Sequence, residues 1–435
     1  MLTTFFLSLA LVSQTPPAGD DLVLQVRTLV RELDAPQRAA REAAEQKLLD
    51  LGPAALEPLG QLPSGVTAEA MTRVNRVRAA LYRKRVAVSL AGSRVTLDAD
   101  KVPLQEVLDA FEKQTGNRLH DFRRQFGQQA DPIEVTLKFE NELFWPAVDK
   151  LCASTGLEPY HFAGGDGLAL VASAANLDES AVGKRPVAYV GAFRLEARRL
   201  VASRDAAAKE LGELQIIWDT AWEPRLRPLF FTVRAAKLQA KLTDDETLEP
   251  RNAELVNEIP PPGKAARVEM TASFAAPRRS AERLAEFKGS FEVLLPADLQ
   301  TFRFPEIERG GTREERAGAV SVAVDRPREA DGVVALPVRI KYDDAANALE
   351  SHRAWFYKNP AYLEDAAGTK TETGSIELMR QASNELTLNL IFAPKRIGGA
   401  KPWFTRRRRI SWYCRSSLLS AICRCRKARS PPRPF

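Results

Sequence analysis

The feature that most constrains this chain is a stretch that repeats itself at an offset of 40 residues. Val95-Thr96-Leu97 recurs as Val135-Thr136-Leu137. Leu104 matches Phe144, Val107 matches Ala147, Leu108 matches Val148 and Asp109 matches Asp149. Phe111 then matches Leu151, and Thr115-Gly116 matches Thr155-Gly156. In-register identity of this kind marks a duplicated supersecondary unit. Each copy predicts a short alternating strand followed by a helix. Leu104, Val107, Leu108 and Phe111 fall at i, i+3, i+4 and i+7, which lines one helix face. Pro103 suits the first helical turn, and the glycine after each helix suits a left-handed cap. Second strands are expected at Arg118–Phe122 and Glu158–Phe162. Gly164-Gly165-Asp166-Gly167 reads as a turn into a last strand, Leu168–Ala172. Together these predict a compact α+β domain over residues 86–173, with two helices on a small sheet. The matches fall on packing and capping positions, so what was duplicated is a fold and not an active site.

The run VTLDADKVPLQEVLDAFEKQTGNRL returns loosely as VTLKFENELFWPAVDKLCASTGLEPY. This strand, helix, Thr-Gly and strand order resembles the short N-terminal domain of secretins and TonB-dependent receptors. The resemblance implies an envelope protein–protein interaction module. It does not extend to a secretin pore, because no series of amphipathic membrane strands follows. Together with the segments in front of it, the arrangement also resembles uncharacterised exported proteins of planctomycete-type bacteria.

A chain of 435 residues is long for one domain. It is 45% hydrophobic, enough to build several cores and too much for global disorder. Residues 1–19 read as a signal peptide: the apolar run LTTFFLSLALV is too short to span a bilayer and is followed by a polar, Pro-rich stretch. Residues 20–85 read as helical, with Leu22, Val26, Leu29, Val30 and Leu33 at helix spacing and a break at Gly52-Pro53. This segment resembles a single HEAT-type repeat, which cannot form a solenoid alone. Residues 186–305 alternate as a β-rich domain, with Val187–Leu195 as one strand and Gly289–Leu295 as another. Residues 317–395 predict a further β-sandwich-like domain. The expected fold is therefore multidomain: an N-terminal helical segment, the small α+β domain with its duplicated strand-helix-strand unit, then two β-sandwich-like domains.

The net charge of +7 suggests a nucleic-acid binder, but its distribution does not. From Lys395 onward there are 13 Lys and Arg and no carboxylate, which leaves residues 1–394 at −6. The body is mildly acidic, so no nucleic-acid partner is expected. The tail, residues 396–435, has three readings. It is an anionic-surface tail, a thiol metal site using Cys414, Cys423 and Cys425, or a frame-shifted stretch that replaces the last strands. The abrupt change after Phe392 favours the third.

No nucleophile elbow, zinc-protease motif, P-loop or dinucleotide fingerprint is present. His120 and His161 sit near matching strand positions, and His352 lies in a later loop. These histidines and the lone body cysteine, Cys152, read as packing or strand-end residues. Asp244-Asp245, Asp343-Asp344 and Glu314-Glu315 read as turn carboxylates, and Asp343-Asp344 with Asn347 lacks an EF-hand pattern. No catalytic residue, metal or cofactor is expected. The aromatic segment around Trp355, Phe356, Tyr357 and Tyr362 is the candidate partner contact, since long irregular connections tend to carry binding. The functional expectation is an exported, periplasmic or envelope protein that binds another envelope protein without catalysis. It carries no transmembrane span beyond the signal peptide. The alternative is a cell-wall glycan hydrolase or a carbohydrate-binding protein. The binding reading predicts no cluster of perturbed titratable groups; the hydrolase predicts two converging carboxylates.

Overall fold

The structure is a computed structural model. It describes residues 19–62, 65–163, 167–173, 185–204, 212–243, 245–263, 265–307, 311–317, 320–330, 333–343, 349, 355–365, 368–393 and 408–425. The expected signal peptide therefore lies outside the described residues save for Gly19, as do His352, Asp244, Asp344, Asn347 and most of the glycine turn at 164–166. The chain divides into two compact units, residues 1–84 and 85–435.

The first unit is helical. Helices α1 (Gly19–Glu32), α2 (Arg38–Asp50), α3 (Leu56–Gly60) and α4 (Ala68–Leu90) follow one another. The apolar stripe of α1, at Val26, Leu29, Val30 and Leu33, is buried. The Thr67 hydroxyl accepts a hydrogen bond from the Ala70 amide at 3.2 Å and so caps α4. No described helix is long and apolar enough to cross a membrane.

The duplicated stretch folds as β1 (Arg94–Pro103), α5 (Leu104–Thr115), β2 (Arg118–Asp121), β3 (Glu134–Leu143), α6 (Phe144–Thr155), β4 (Leu157–Tyr160) and β5 (Gly167–Ala172). Strands β1 and β3 pair antiparallel, and their register carries a local twofold relation. Val95 pairs with Glu142, and Val102 with Val135, so each pair is the other with its partners exchanged by 40 residues. Asp98 and Lys138 hold the same place in the two copies. They pair with each other, joined by a 2.5 Å salt bridge. The Lys101 amide donates to Thr136 Oγ1 at 3.1 Å, and the Asn141 amide donates to Thr96 Oγ1 at 3.0 Å. Lys101 and Asn141 both have positive φ, 54° and 48°, because each lies at an irregularity of its strand. Gly116 and Gly156 end their helices at φ 68° and 67°, left-handed backbone that a Cβ would strain.

One small sheet is expected here, and two are found. β1 and β3 form a two-stranded sheet, while β2, β5 and β4 form a three-stranded one with β5 in the middle. The unduplicated β5 runs parallel to β2 and antiparallel to β4, and so keeps the second strands of the two copies apart. Helix α5 touches β1 and β2, and α6 touches β3 and β4. The core between the sheets includes Phe111, which meets Phe139 and Phe144 edge-on at 6.2 Å each.

The β-rich remainder begins with β6 (Val187–Val190), β7 (Phe193–Arg204), β8 (Gly212–Trp222), β9 (Phe230–Arg234), β10 (Gln239–Leu242), β11 (Thr247–Leu248), β12 (Val256–Ile259), β13 (Arg267–Ala275) and β14 (Leu284–Pro305). It continues with β15 (Arg313–Ala317), β16 (Val320–Val324), β17 (Arg328–Ala330), β18 (Val333–Tyr342), β19 (Ala361–Asp365), β20 (Lys370–Glu372), β21 (Ser375–Gln381), β22 (Glu385–Phe392) and β23 (Arg408–Cys425). One sheet runs β13-β8-β7-β6, another β15-β16-β18-β22-β21, and a third β11-β10-β14-β23-β19-β20. Val187–Leu195 is not one strand. It turns back at Gly191-Ala192, where Gly191 has φ 55° and a side chain would collide with the Leu90 carbonyl.

The boundary expected between residues 305 and 317 does not separate two cores. β14 is long enough to serve both. Phe291 packs with Phe193 and Phe231, at ring distances of 5.4 and 5.8 Å. Leu294, Phe302 and Phe304 instead join one cluster with Val322, Leu336 and Leu388. Residues 408–425 of the basic tail form β23 between β14 and β19, so this part of the tail is sheet backbone and not a free appendage.

Candidate functional site

The duplicated domain is fastened to the β-rich region by two polar networks, one buried and one partly exposed. The first centres on Glu223, just past the end of β8 and fully buried. Its carboxylate accepts from the Ser93 amide at 2.7 Å, Ser93 Oγ at 2.8 Å and Asn117 Nδ2 at 2.9 Å. Arg225 Nε pairs with it at 2.6 Å, and the Arg225 amide donates to Asn117 Oδ1 at 3.0 Å. A buried carboxylate is tolerable only with this degree of compensation.

The second network joins α6 to the β6–β7 hairpin. Trp145 Nε1 donates to the Ala192 carbonyl at 3.1 Å, filling the turn. Asp149 accepts from Tyr189 Oη at 2.5 Å and from Arg194 Nε at 3.0 Å. Arg194 also binds Glu196 at 2.6 Å; Glu196 in turn takes Arg185 and Arg198, and Arg198 bridges to Asp219. Burial alone would push Glu196 up, but its arginines hold it down to about 2. Asp219 is raised by burial, against the pull of Arg267 and Arg198. Tyr189 is raised by burial and by its bond to Asp149. A cluster of perturbed groups therefore exists where the binding reading expects none. Its physical basis is desolvation of ion pairs at an internal seam.

Of the residues singled out in the sequence, Cys152 is buried, and burial pushes its thiol up to about 12, which leaves it unreactive. His161 is half-buried against Trp145, and desolvation followed by the charges of Arg267 and Arg194 lowers it to about 3. His120 is half-buried on β2. The candidate contact segment comes apart. Phe356 is 2% exposed and belongs to the core shared with β14, so it is a packing residue and offers no surface to a partner. Tyr357 is exposed and stacks on Phe356 at 4.5 Å. Tyr362 is half-buried on β19 beneath Lys370, whose ammonium lies 4.4 Å from the ring centre. The Trp355 side chain lies outside the described residues.

An aromatic cluster that the sequence did not signal lies elsewhere, on the duplicated domain. Phe126, beyond β2, is 47% exposed and meets Tyr160 of β4 at 4.9 Å. Tyr160 meets Phe162 at 6.1 Å, and Phe162 is 51% exposed. Arg267 stacks over Phe162 at 4.9 Å. Phe126 and Phe162 are 36 residues apart, and no periodic pattern joins them. Among the described residues, β4 pairs as a strand only with β5; it contains Pro159, which has no amide to donate, and just past its end the His161 carbonyl accepts from the Ala266 amide at 3.3 Å.

Fold and surfaces together define a β-rich chain of several sheets that carries a duplicated α+β unit. No family model matches the sequence, and no curated protein matches it. Among solved structures, a conserved domain protein from Bacillus anthracis is 6% identical, over 57% of this chain and 92% of that one, with a TM-score of 0.13. A likeness that weak carries no argument about fold or function.

Proposed function

We propose that the chain is a non-catalytic interaction or scaffolding protein of a bacterial envelope, and that the duplicated domain is its docking module. The observation that carries this is the Phe126–Tyr160–Phe162 cluster at the end of β4. Contiguous exposed aromatic surface is costly in water and is enriched at interfaces. Export rests on the short apolar run at the N-terminus, and the envelope setting on the resemblance of the duplicated stretch. The two polar networks support a module held in fixed orientation on its β-rich carrier. The test uses the tagged full chain as bait for envelope fractions, beside the Phe126→Ser/Phe162→Ser variant. The wild type is expected to retain a specific protein partner that the variant loses at unchanged melting temperature. Recovery of no protein at any salt, or equal recovery by both, would overturn the reading.

A second reading, a cell-wall glycan hydrolase or carbohydrate-binding protein, is favoured by one observation. Glu196 and Asp219 are cross-strand partners whose carboxyls are pushed in opposite directions. Such pairs can divide acid and base roles. Both oxygens of Glu196 and one of Asp219 are already bound to arginines, which weakens it. Incubation with purified cell wall decides: release of soluble glycan that Glu196→Gln abolishes supports the hydrolase, and no release removes it.

A further inference from the structure

We infer that a cavity between the two layers of the β-rich region binds a single-chain anionic amphiphile, an acyl-type chain ending in a carboxylate or phosphate. The cavity holds about 350 Å³ and lies between β6, β7 and β8 on one side and β9 and β14 on the other. That size falls in the range of small-molecule sites, roughly 300–1,000 Å³. Its walls are apolar: Leu195, Ile216, Trp218, Leu238, Phe287 and Phe291 all line it. Trp218 and Phe287 meet at 5.2 Å within it. Among the described residues, no buried side-chain polar atom lacking a partner belongs to the lining. A polar ligand would find nothing there to replace its water, whereas an apolar chain loses nothing by entering.

Among the described residues, β14 pairs with β23 from Pro305 back to Gly289 and with β10 from Lys288 to Leu284, and the cavity lies along this second stretch.

The mouth sets the sign of the head group. Arg185, Arg198, Arg199 and Lys288 line it against Glu196 and Glu286. Arg185 and Arg198 bind Glu196 at 3.3 and 3.1 Å, and Lys288 binds Glu286 at 3.2 Å. Arg199 is exposed and has no ion pair among the described residues. Among the described residues, the mouth thus carries one guanidinium outside any ion pair beside an apolar slot, and Leu200, 53% exposed, extends the apolar lip. An anionic head at Arg199 with its chain in the slot satisfies both features.

The experiment titrates the full chain by calorimetry with laurate and, separately, with dodecyltrimethylammonium. These share a chain length and differ in head charge; both are kept below their micelle concentrations. One laurate per chain is expected, bound at least about threefold more tightly than the cation, as an exposed ion pair implies. Arg199→Glu should abolish or reverse that preference. Ala197→Phe, which fills the slot, should weaken both ligands. Equal affinities with no effect of Arg199→Glu, absence of binding, or uptake of many molecules without saturation would each overturn the inference. If Ala197→Phe does not fold, the wild-type comparison and the surface variant Arg199→Glu still decide it.

Discussion

The two copies of the duplicated unit share a backbone and differ in what they are attached to. In copy two, Trp145 and Asp149 of α6 are engaged by the β6–β7 hairpin. The matching residues of copy one are Gln105 and Asp109; among the described residues they bond only to each other, exposed, at 2.8 Å. The reverse holds at the other network. Copy one supplies Ser93 and Asn117 to Glu223. Copy two has Ile133 and Leu157 at the matching places, both on the apolar side of its core. Packing positions were kept in both copies, while each copy turned a different set of surface positions into an attachment. A twofold unit has become a one-way adaptor, with the outer face of α5 left in solvent and that of α6 engaged by the β6–β7 hairpin.

That comparison can be broken at its shared part or at its divergent parts. The largest effects belong to the shared core. Phe111→Ala and its counterpart Leu151→Ala should each cost about 2–5 kcal/mol, measured by chemical denaturation, because both sites are fully buried. A cost below about 1 kcal/mol at either would mean that copy does not hold the core. Glu223→Ala falls in the same range, roughly 3–5 kcal/mol, since it strands Arg225 and Asn117 without their acceptor.

Asp149→Asn and Asp109→Asn sharpen the contrast. The first should cost about 1–3 kcal/mol and the second less than about 0.5 kcal/mol. Equal costs would erase the asymmetry between the copies.

The smallest effect at neutral pH, growing in acid, is that of His161. Its folded-state pKa of about 3 lies below the ordinary 6.5, so its contribution is complete above pH 6.5 and is lost as pH falls toward 3. His161→Phe should flatten the fall of stability with pH in that window. An unchanged slope would mean the fold does not hold the imidazole neutral.

Local signals carried the duplicated domain well. Helix periodicity, the Thr-Gly caps and the offset of 40 are written in contiguous residues. What was illegible depends on distant ones. Glu223 lies 130 residues from Ser93, and nothing near either announces the bond. Gly191 breaks an alternating run only because Leu90 approaches it from another element. β14 shows alternation around Gly289–Leu295, yet its full length follows from pairing with β9, β10 and β23. The segment at 355–362 was legible as aromatic but not as buried: Phe356 looks like a contact residue until β14 and β18 supply its core. The Phe126–Tyr160–Phe162 surface is assembled by the β2-β5-β4 sheet, and so appears only in three dimensions.

The docking role of that surface is tested most directly by photo-crosslinking the full chain in envelope preparations. One probe replaces Phe126 and another replaces Met379, which is 65% exposed on the distant strand β21. A discrete protein adduct from position 126 and none from position 379 is the expected result. No adduct at 126, or the same adducts from both positions, would contradict the account.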